Sequence, residues 1–206
     1  MIAIIDYGMG NLKSVKNALD FLGIPSIITK NKEVIKASKA IILPGVGAFK
    51  QAMDNLKNDN LDIFIRDLAK DGKIILGICL GMQILFEEGF EGERCRGLGL
   101  IKGNIRKIKP KEKVKIPHMG WNKIFINNND DVISGIYGDN FLYYVHSFMA
   151  CDYNEENLIA YSDYGGVKIP GIVKRDNIIG MQFHPEKSGE VGLNLLKKFG
   201  EMIKWR

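Results

Sequence analysis

The sequence predicts an α/β fold: an open, mostly parallel sheet, covered by helices on both faces and extended by antiparallel strands in its second half. Three observations predict it. Short, wholly apolar runs alternate with amphipathic segments through the first half of the chain. The runs end in glycine-bearing turns after Asp6, Leu43 and Ile78. Beyond residue 98 the pattern changes to many short β-rich segments separated by Gly, Asn and Asp.

Residues 1–6 read as a buried strand, and Gly8-Met9-Gly10-Asn11 as a turn that ends in a helix cap. Leu12, Val15, Leu19 and Leu22 then recur at helical spacing, with Gly23 closing the helix and Pro25 beyond it. Ser26-Ile27-Ile28 is a second strand, residues 32–39 a short helix, and Ala40-Ile41-Ile42-Leu43 a third strand ending at Pro44-Gly45-Val46-Gly47. Residues 48–70 read as a helix broken near Asn58-Asp59-Asn60, residues 73–78 as a fourth strand, and residues 80–88 as another helix. Ligands on such sheets bind at the carboxyl ends of the strands, so the three turns are expected to share one edge. In the second half, segments 104–108, 122–126, 141–146, 157–161, 167–174 and 178–183 read as strands, expected to join the same sheet. An amphipathic helix from Val191 to Trp205 ends the chain, with Val191, Leu195, Phe199 and Met202 on one side. No linker or repeat divides the sequence, and residues 1–206 are expected to form one domain.

Composition narrows the class. A chain with 46% hydrophobic and 26% charged residues has the balance of an ordinary globular protein. Cys79, Cys95 and Cys151 form no CxxC pair, so neither a zinc site nor a disulfide framework is expected, and a reducing, cytoplasmic setting fits. Met1-Ile2-Ala3-Ile4-Ile5-Asp6 lacks the basic start of a signal peptide, and no run approaches the roughly 18 apolar residues of a membrane span. The net charge of +5 has a local source in Lys102, Arg106, Lys107, Lys109, Lys111, Lys113 and Lys115. Ile105, Ile108, Val114 and Ile116 interleave with these cations and no aromatic platform accompanies them. They therefore read as a solvated strand face, and neither nucleic acid nor membrane is an expected partner.

Two motifs carry chemistry. Gly77-Ile78-Cys79-Leu80-Gly81 follows the apolar run Ile74-Ile75-Leu76. Small residues on both sides of a strand-to-helix elbow are how a nucleophile is exposed on a tight turn. At the start of a helix, free N–H groups and the helix dipole favour a thiolate, whereas an ordinary thiol with a pKa of about 8.5 is mostly protonated at pH 7. His184-Pro185-Glu186 supplies the partner. In an extended segment residues i and i+2 point the same way, so Glu186 can orient His184, which takes the thiol proton and returns it to a leaving amine. Cys95 and Cys151 have no such setting.

Other motifs are weaker. His118 and His146 are rival bases, but neither has a carboxylate two residues away, and both are expected to be structural. Three histidines in separate segments do not make a metal site, and no metal or cofactor is expected. Pro44-Gly45-Val46-Gly47 sits on the same sheet edge as Cys79 and can offer an oxyanion donor, with the N–H of Leu80 as a second. Gly8-Met9-Gly10 lacks the third glycine of a dinucleotide fingerprint, because position 13 is Lys13.

Gly77-Ile78-Cys79-Leu80-Gly81-Met82-Gln83 together with His184-Pro185-Glu186 resembles the class I (triad) glutamine amidotransferase family. The resemblance covers the chain from end to end and implies that family's flavodoxin-like fold. It implies hydrolysis of L-glutamine to glutamate through a thioester, with Cys79, His184 and Glu186 as the triad. It implies that Gln83 and the backbone of Ser147 and Phe148 hold the glutamine, and that Gly45, Val46 and Gly47 rearrange to complete the oxyanion hole. Asp6-Tyr7-Gly8-Met9-Gly10-Asn11-Leu12, Pro44-Gly45-Val46-Gly47-Ala48-Phe49 and Pro117-His118-Met119-Gly120-Trp121-Asn122 are similar to one branch of the family, the glutaminase subunits of histidine biosynthesis.

That branch implies a heterodimer with a (β/α)8 cyclase subunit. The cyclase joins ammonia to a phosphoribosyl-formimino intermediate and makes imidazole glycerol phosphate and an aminoimidazole carboxamide nucleotide. By the same match Met9, Asn11, Trp121, Tyr143 and Lys187 are candidate interface residues. Length points the same way: the glutaminase fold accounts for all 206 residues, so the acceptor chemistry is expected on another chain. Free ammonia is largely protonated near neutral pH, which calls for a sheltered path. The alternative is a paralogue that feeds ammonia to a different synthase, such as a sugar-amidating enzyme, because a triad does not report its acceptor.

Overall fold

The computed structural model describes residues 1–134, 138 and 140–204. Four short strands build the first half of the main sheet: β1 (Ile2–Ile5), β2 (Ser26–Thr29), β3 (Ala40–Gly45) and β4 (Ile74–Cys79). All residues of β1, β3 and β4 are buried, which is why they read as unbroken apolar runs. Between them lie α1 (Leu12–Phe21), α2 (Lys32–Ala37), α3 (Phe49–Asn58) and α4 (Leu61–Lys70). Asn11 caps α1 by accepting from the Ser14 N–H, and Asn31 caps α2 by accepting from Glu33 and Val34. The expected break in residues 48–70 is present, at Asn60 with φ 50°.

Cys79 is followed by only one helical turn, α5 (Leu80–Gln83), and not by the helix expected over 80–88. Residues 86–96 instead form the hairpin of β5 (Phe86–Glu91) and β6 (Glu93–Arg96). The reason is tertiary: the backbone of residues 86–91 finds strand partners in residues 93–96 and 101–105, and Gly89 lets it approach α3, where a Cβ would stand 2.6 Å from the Phe49 ring.

The second half continues with β7 (Ile101–Lys107), β8 (His118–Lys123), β9 (Phe125–Ile126), β10 (Phe141–His146), β11 (Phe148–Cys151), β12 (Leu158–Asp163), β13 (Lys168–Arg175) and β14 (Ile178–Met181). The large sheet has the order β2-β1-β3-β4-β14-β13-β12-β9. Its first five strands are parallel and its last three antiparallel; β14, expected among the antiparallel strands, instead pairs in parallel with β4 as the fifth parallel strand. Not every later strand joins it. β11-β7-β5-β6 form a separate four-stranded sheet, and β10 pairs with β8 in a two-stranded ribbon. His118, expected in a turn, lies on a strand and faces His146 across this ribbon. Lys102 and Arg106 on β7 and Lys107, Lys109, Lys111, Lys113 and Lys115 around it are exposed, while Ile101 and Ile105 are buried. The basic stretch is thus the solvated side of a strand and its following loop.

α6 (Gly189–Lys204) closes the chain. Leu195 and Phe199 are buried and Val191 and Met202 pack beside them; Trp205, the expected end of this helix, lies outside the described residues. Alternation along the strands fills two cores. Ile4, Ile42 and Leu76 meet α1 and α6 on one face, and Ala3, Ile41 and Ile75 meet α3 and α4 on the other. Among the described residues no helix is long and apolar enough to cross a membrane.

The tightest packing is at the end of β4. A Cβ on Gly81 would overlap the Leu43 carbonyl of β3, and one on Gly77 would overlap the Gly81 carbonyl. Gly81→Ala is therefore expected to cost at least about 3 kcal/mol of folding stability, measured by urea denaturation.

Candidate active site

Cys79 ends β4 in a conformation that side chains rarely adopt, φ 55° and ψ −112°. Such a residue carries strain on the order of 1–3 kcal/mol, which the surrounding packing must hold. The Gly77 and Gly81 contacts provide that packing. The sulfur lies 3.9 Å from the Val145 carbonyl oxygen and 3.9 Å from Gln182 Nε2. Because α5 has only one turn, the helix expected behind Cys79 is short, and little helix dipole stands there.

His184 follows β14, which pairs in parallel with β4, so histidine and cysteine leave neighbouring strand ends. Its backbone N–H donates to the Tyr143 carbonyl at 2.9 Å, and its carbonyl accepts from Ser188 Oγ at 2.6 Å. Glu186 does not sit beside it through an extended i, i+2 relation. Pro185–Lys187 forms a 3-10 turn, which brings the carboxylate back under the ring. Nδ1 donates to Glu186 Oε1 at 2.9 Å, with both side chains at most 3% exposed. Nε2 makes no well-formed hydrogen bond and is the nitrogen left for the Cys79 sulfur. Burial pulls the pKa of the ring down. The nearness of Cys79 and the bonded Glu186 carboxylate outweigh it and raise the value to about 9. At neutral pH the ring therefore favours imidazolium, a form able to donate a proton.

The other two histidines go the opposite way. Burial lowers His146 to about 4 and His118 to about 3, so both are neutral. Their tautomers follow from the acceptors. The Phe148 carbonyl can only accept, so His146 Nδ1 carries the hydrogen of the 2.7 Å bond. His146 Nε2 is then bare and accepts from His118 Nδ1 at 3.0 Å. His118 Nε2 in turn accepts from the Asn122 amide at 3.1 Å. The same Phe148 carbonyl accepts from Gln83 Nε2 at 3.1 Å, and Gln83 Nε2 also reaches Gln182 Oε1 at 3.1 Å. Gln182 is not singled out in the sequence, because nothing local marks a buried glutamine just beyond a strand end.

A cavity of about 380 Å³ opens over Cys79. Val46, Gly47, Leu80, Gln83, Ser147 and Phe148 all line it, and its size suits a small amino-acid substrate. Gly45 stands opposite Cys79 in the β3–β4 register and is buried. Gly47 has φ +109°, a conformation that needs glycine. A larger cavity, about 510 Å³, lies away from these residues beside Ile74 and Ile179. Its Lys174 and Lys198 are paired with Asp130 and Glu201, so it offers no free reactive group of that kind.

The candidate interface residues gather near the same edge. Asn11 caps α1, and α1 and β10 both pack against the turn that holds Lys187. Met9 lies against Gly47, its Cε 2.9 Å from where a Cβ would stand. Trp121 and Tyr143 face each other across the ribbon with ring centroids 6.1 Å apart. Met119 and Phe141 were not expected here, but with Trp121 they leave about half of each side chain or more exposed on the ribbon.

The family model for "Glutamine amidotransferase class-I" matches residues 3–202. A curated protein of Oceanobacillus iheyensis, "Imidazole glycerol phosphate synthase subunit HisH", is 50% identical over 204 residues, 99% of this chain and 100% of that protein. The protein of the same name from Bacillus cereus is 48% identical over 207 residues, 100% of this chain and 97% of its own. Two solved structures share the fold at low identity. A "glutamine amidotransferase" matches with TM-score 0.77 at 17% identity over 100% of both chains. PurLQS from Thermotoga maritima matches with TM-score 0.75 at 20% identity over 98% of this chain and 97% of that one.

The raised pKa sets a testable sign. A folded value above the ordinary 6.5 means that the His184 interactions stabilise the protein fully below about pH 6.5 and lose that contribution as the pH rises through about 9. Glu186→Gln is expected to move the NMR titration of His184 downward, and its stability deficit should shrink towards pH 9.

Proposed function

The chain belongs to the class-I glutamine amidotransferase family, and from that premise we propose that it is the glutaminase subunit of an imidazole glycerol phosphate synthase. What carries the chemical reading is Cys79 on its strained elbow, beside an imidazole that Glu186 holds at 2.9 Å. The end-to-end identity of 50% with a subunit of that synthase supports the acceptor. It also disfavours a paralogue that feeds another synthase.

In this reading His184 holds the proton of the Cys79 thiol as imidazolium, and the Sγ thiolate attacks the side-chain carbonyl carbon of L-glutamine. The oxyanion that forms is met by N–H groups of Leu80 and of the Gly45-Val46-Gly47 turn. His184 gives its proton to the departing nitrogen, ammonia leaves, and a thioester remains on Cys79. Water, activated by the now neutral His184, releases glutamate. Gln83 and the Ser147–Phe148 backbone hold the amino-acid end of the substrate. Both hydrogens of the Gln83 amide are engaged with Phe148 and Gln182, which fixes its orientation.

Ammonia then passes to a (β/α)8 cyclase, which docks against Met9, Asn11, Trp121, Tyr143 and Lys187. The exposed apolar side chains of the ribbon suit such a contact. Residues 1–206 act as one glutaminase domain, since the same sheet supports both cores. We place its work in the cytoplasm, in keeping with three free thiols.

With the cyclase present, Cys79→Ala is expected to lose at least about a thousand-fold of glutamine-dependent product formation. Product formation from added ammonium salt at alkaline pH should persist. Undiminished glutamate release by this variant would overturn the reading.

A further inference from the structure

The turn that would supply the oxyanion donors is held at its root by a residue that has no part in the chemistry above. Tyr7 follows β1, is 3% exposed, and donates its hydroxyl hydrogen to the Pro44 carbonyl at 2.7 Å. We propose that Tyr7 is a positioning residue: by anchoring the Pro44–Gly45 peptide it sets where the Val46 and Gly47 N–H groups stand relative to Cys79. This proposal rests on the glutaminase reading.

The root is clamped on all sides. Gly10, at φ +97°, lies against the same peptide, with its Cβ position 3.1 Å from both Gly45 N and Pro44 C. A Cβ on Gly45 would stand 2.7 Å from the Tyr7 hydroxyl and 2.9 Å from Gly81 N and Leu80 Cβ. The peptide is therefore wedged between Tyr7 and the nucleophile elbow. Pro44 adds its own rigidity, because its ring fixes φ. Beyond the root the chain is looser: Val46 is 43% exposed and flanked by two glycines. Any reorientation of the turn must pivot after the Tyr7 anchor. Tyr7 is itself tied down, since Asn55 of α3 donates to its carbonyl at 3.0 Å. Burial, and then the charge of Cys79, raise the pKa of the phenol, so the hydroxyl stays a donor at any working pH.

Oxyanion donors act only when they are aimed at the developing charge, and a displacement of about 1 Å can cost about 100-fold in rate. Removing the anchor should therefore harm a step that builds an oxyanion and spare one that does not. Alkylation of Cys79 by iodoacetamide is a direct displacement at a saturated carbon and builds none. Thioester formation from glutamine builds one.

The test is Tyr7→Phe, assayed with the cyclase present. Thioester formation, followed by rapid quench, and kcat are expected to fall about 10- to 100-fold, with KM changed by no more than about two-fold. Iodoacetamide alkylation of Cys79, read by mass spectrometry, should keep its wild-type rate. If Tyr7→Phe does not fold, Asn55→Ala, which frees the Tyr7 backbone from a half-buried position, should show the same split at smaller size. Unchanged kcat in the folded variant, or equal slowing of both reactions, overturns the anchor. Neither result touches the glutaminase reading, which stands or falls with Cys79→Ala.

Discussion

The close approach of the Gly81 backbone to the Leu43 carbonyl is the contact on which the rest of the site depends. It lets α5 fold down onto the ends of β3 and β4 with no side chain between them. That proximity holds Cys79 at φ 55° and sets Gly45 directly opposite it in the register. A cysteine, a glycine-rich turn and a helix start thus come from two adjacent parallel strands. The strain at Cys79 is small beside the burial of two cores, so the fold tolerates it.

Around this frame, histidines of one residue type are tuned in opposite directions. All three are buried, and burial alone lowers an imidazole pKa. His184 escapes because Cys79 and Glu186 favour its charged form. His118 and His146 have no carboxylate partner; instead they pass hydrogen bonds in one direction, from Asn122 to the Phe148 carbonyl. The first environment favours a charged imidazolium. The second makes a rigid strut between the ribbon and the floor of the cavity, where Gln83 meets the same carbonyl.

The cysteine elbow and the histidine–carboxylate pair are legible in the sequence because they depend on local rules. Glycine spacing around Cys79 marks a tight elbow, and a carboxylate two residues from a histidine marks a local pair. The route to that pair was misjudged, because the 3-10 turn at Pro185–Lys187 replaces extended geometry. The helix expected over 80–88 failed for a tertiary reason. Its apolar residues suit a strand equally well, and the pairing of residues 86–91 with 93–96 and 101–105 decides between the two. Gln182 and Tyr7 were silent for a different reason. A buried glutamine and a tyrosine after a strand carry no pattern until their partners, far away in sequence, are known.

The sequence by itself determined the parallel half of the sheet, the turns along one edge and the residue types able to do acyl chemistry. Those follow from hydrophobic periodicity, glycine placement and side-chain chemistry, which act within a few residues. Only the tertiary structure decided how the later strands divide among three sheets. The same holds for the direction in which each histidine's pKa moves and for the residues that clamp the oxyanion turn. Each of these is set by contacts between residues distant in the chain, whose energies exceed local preference.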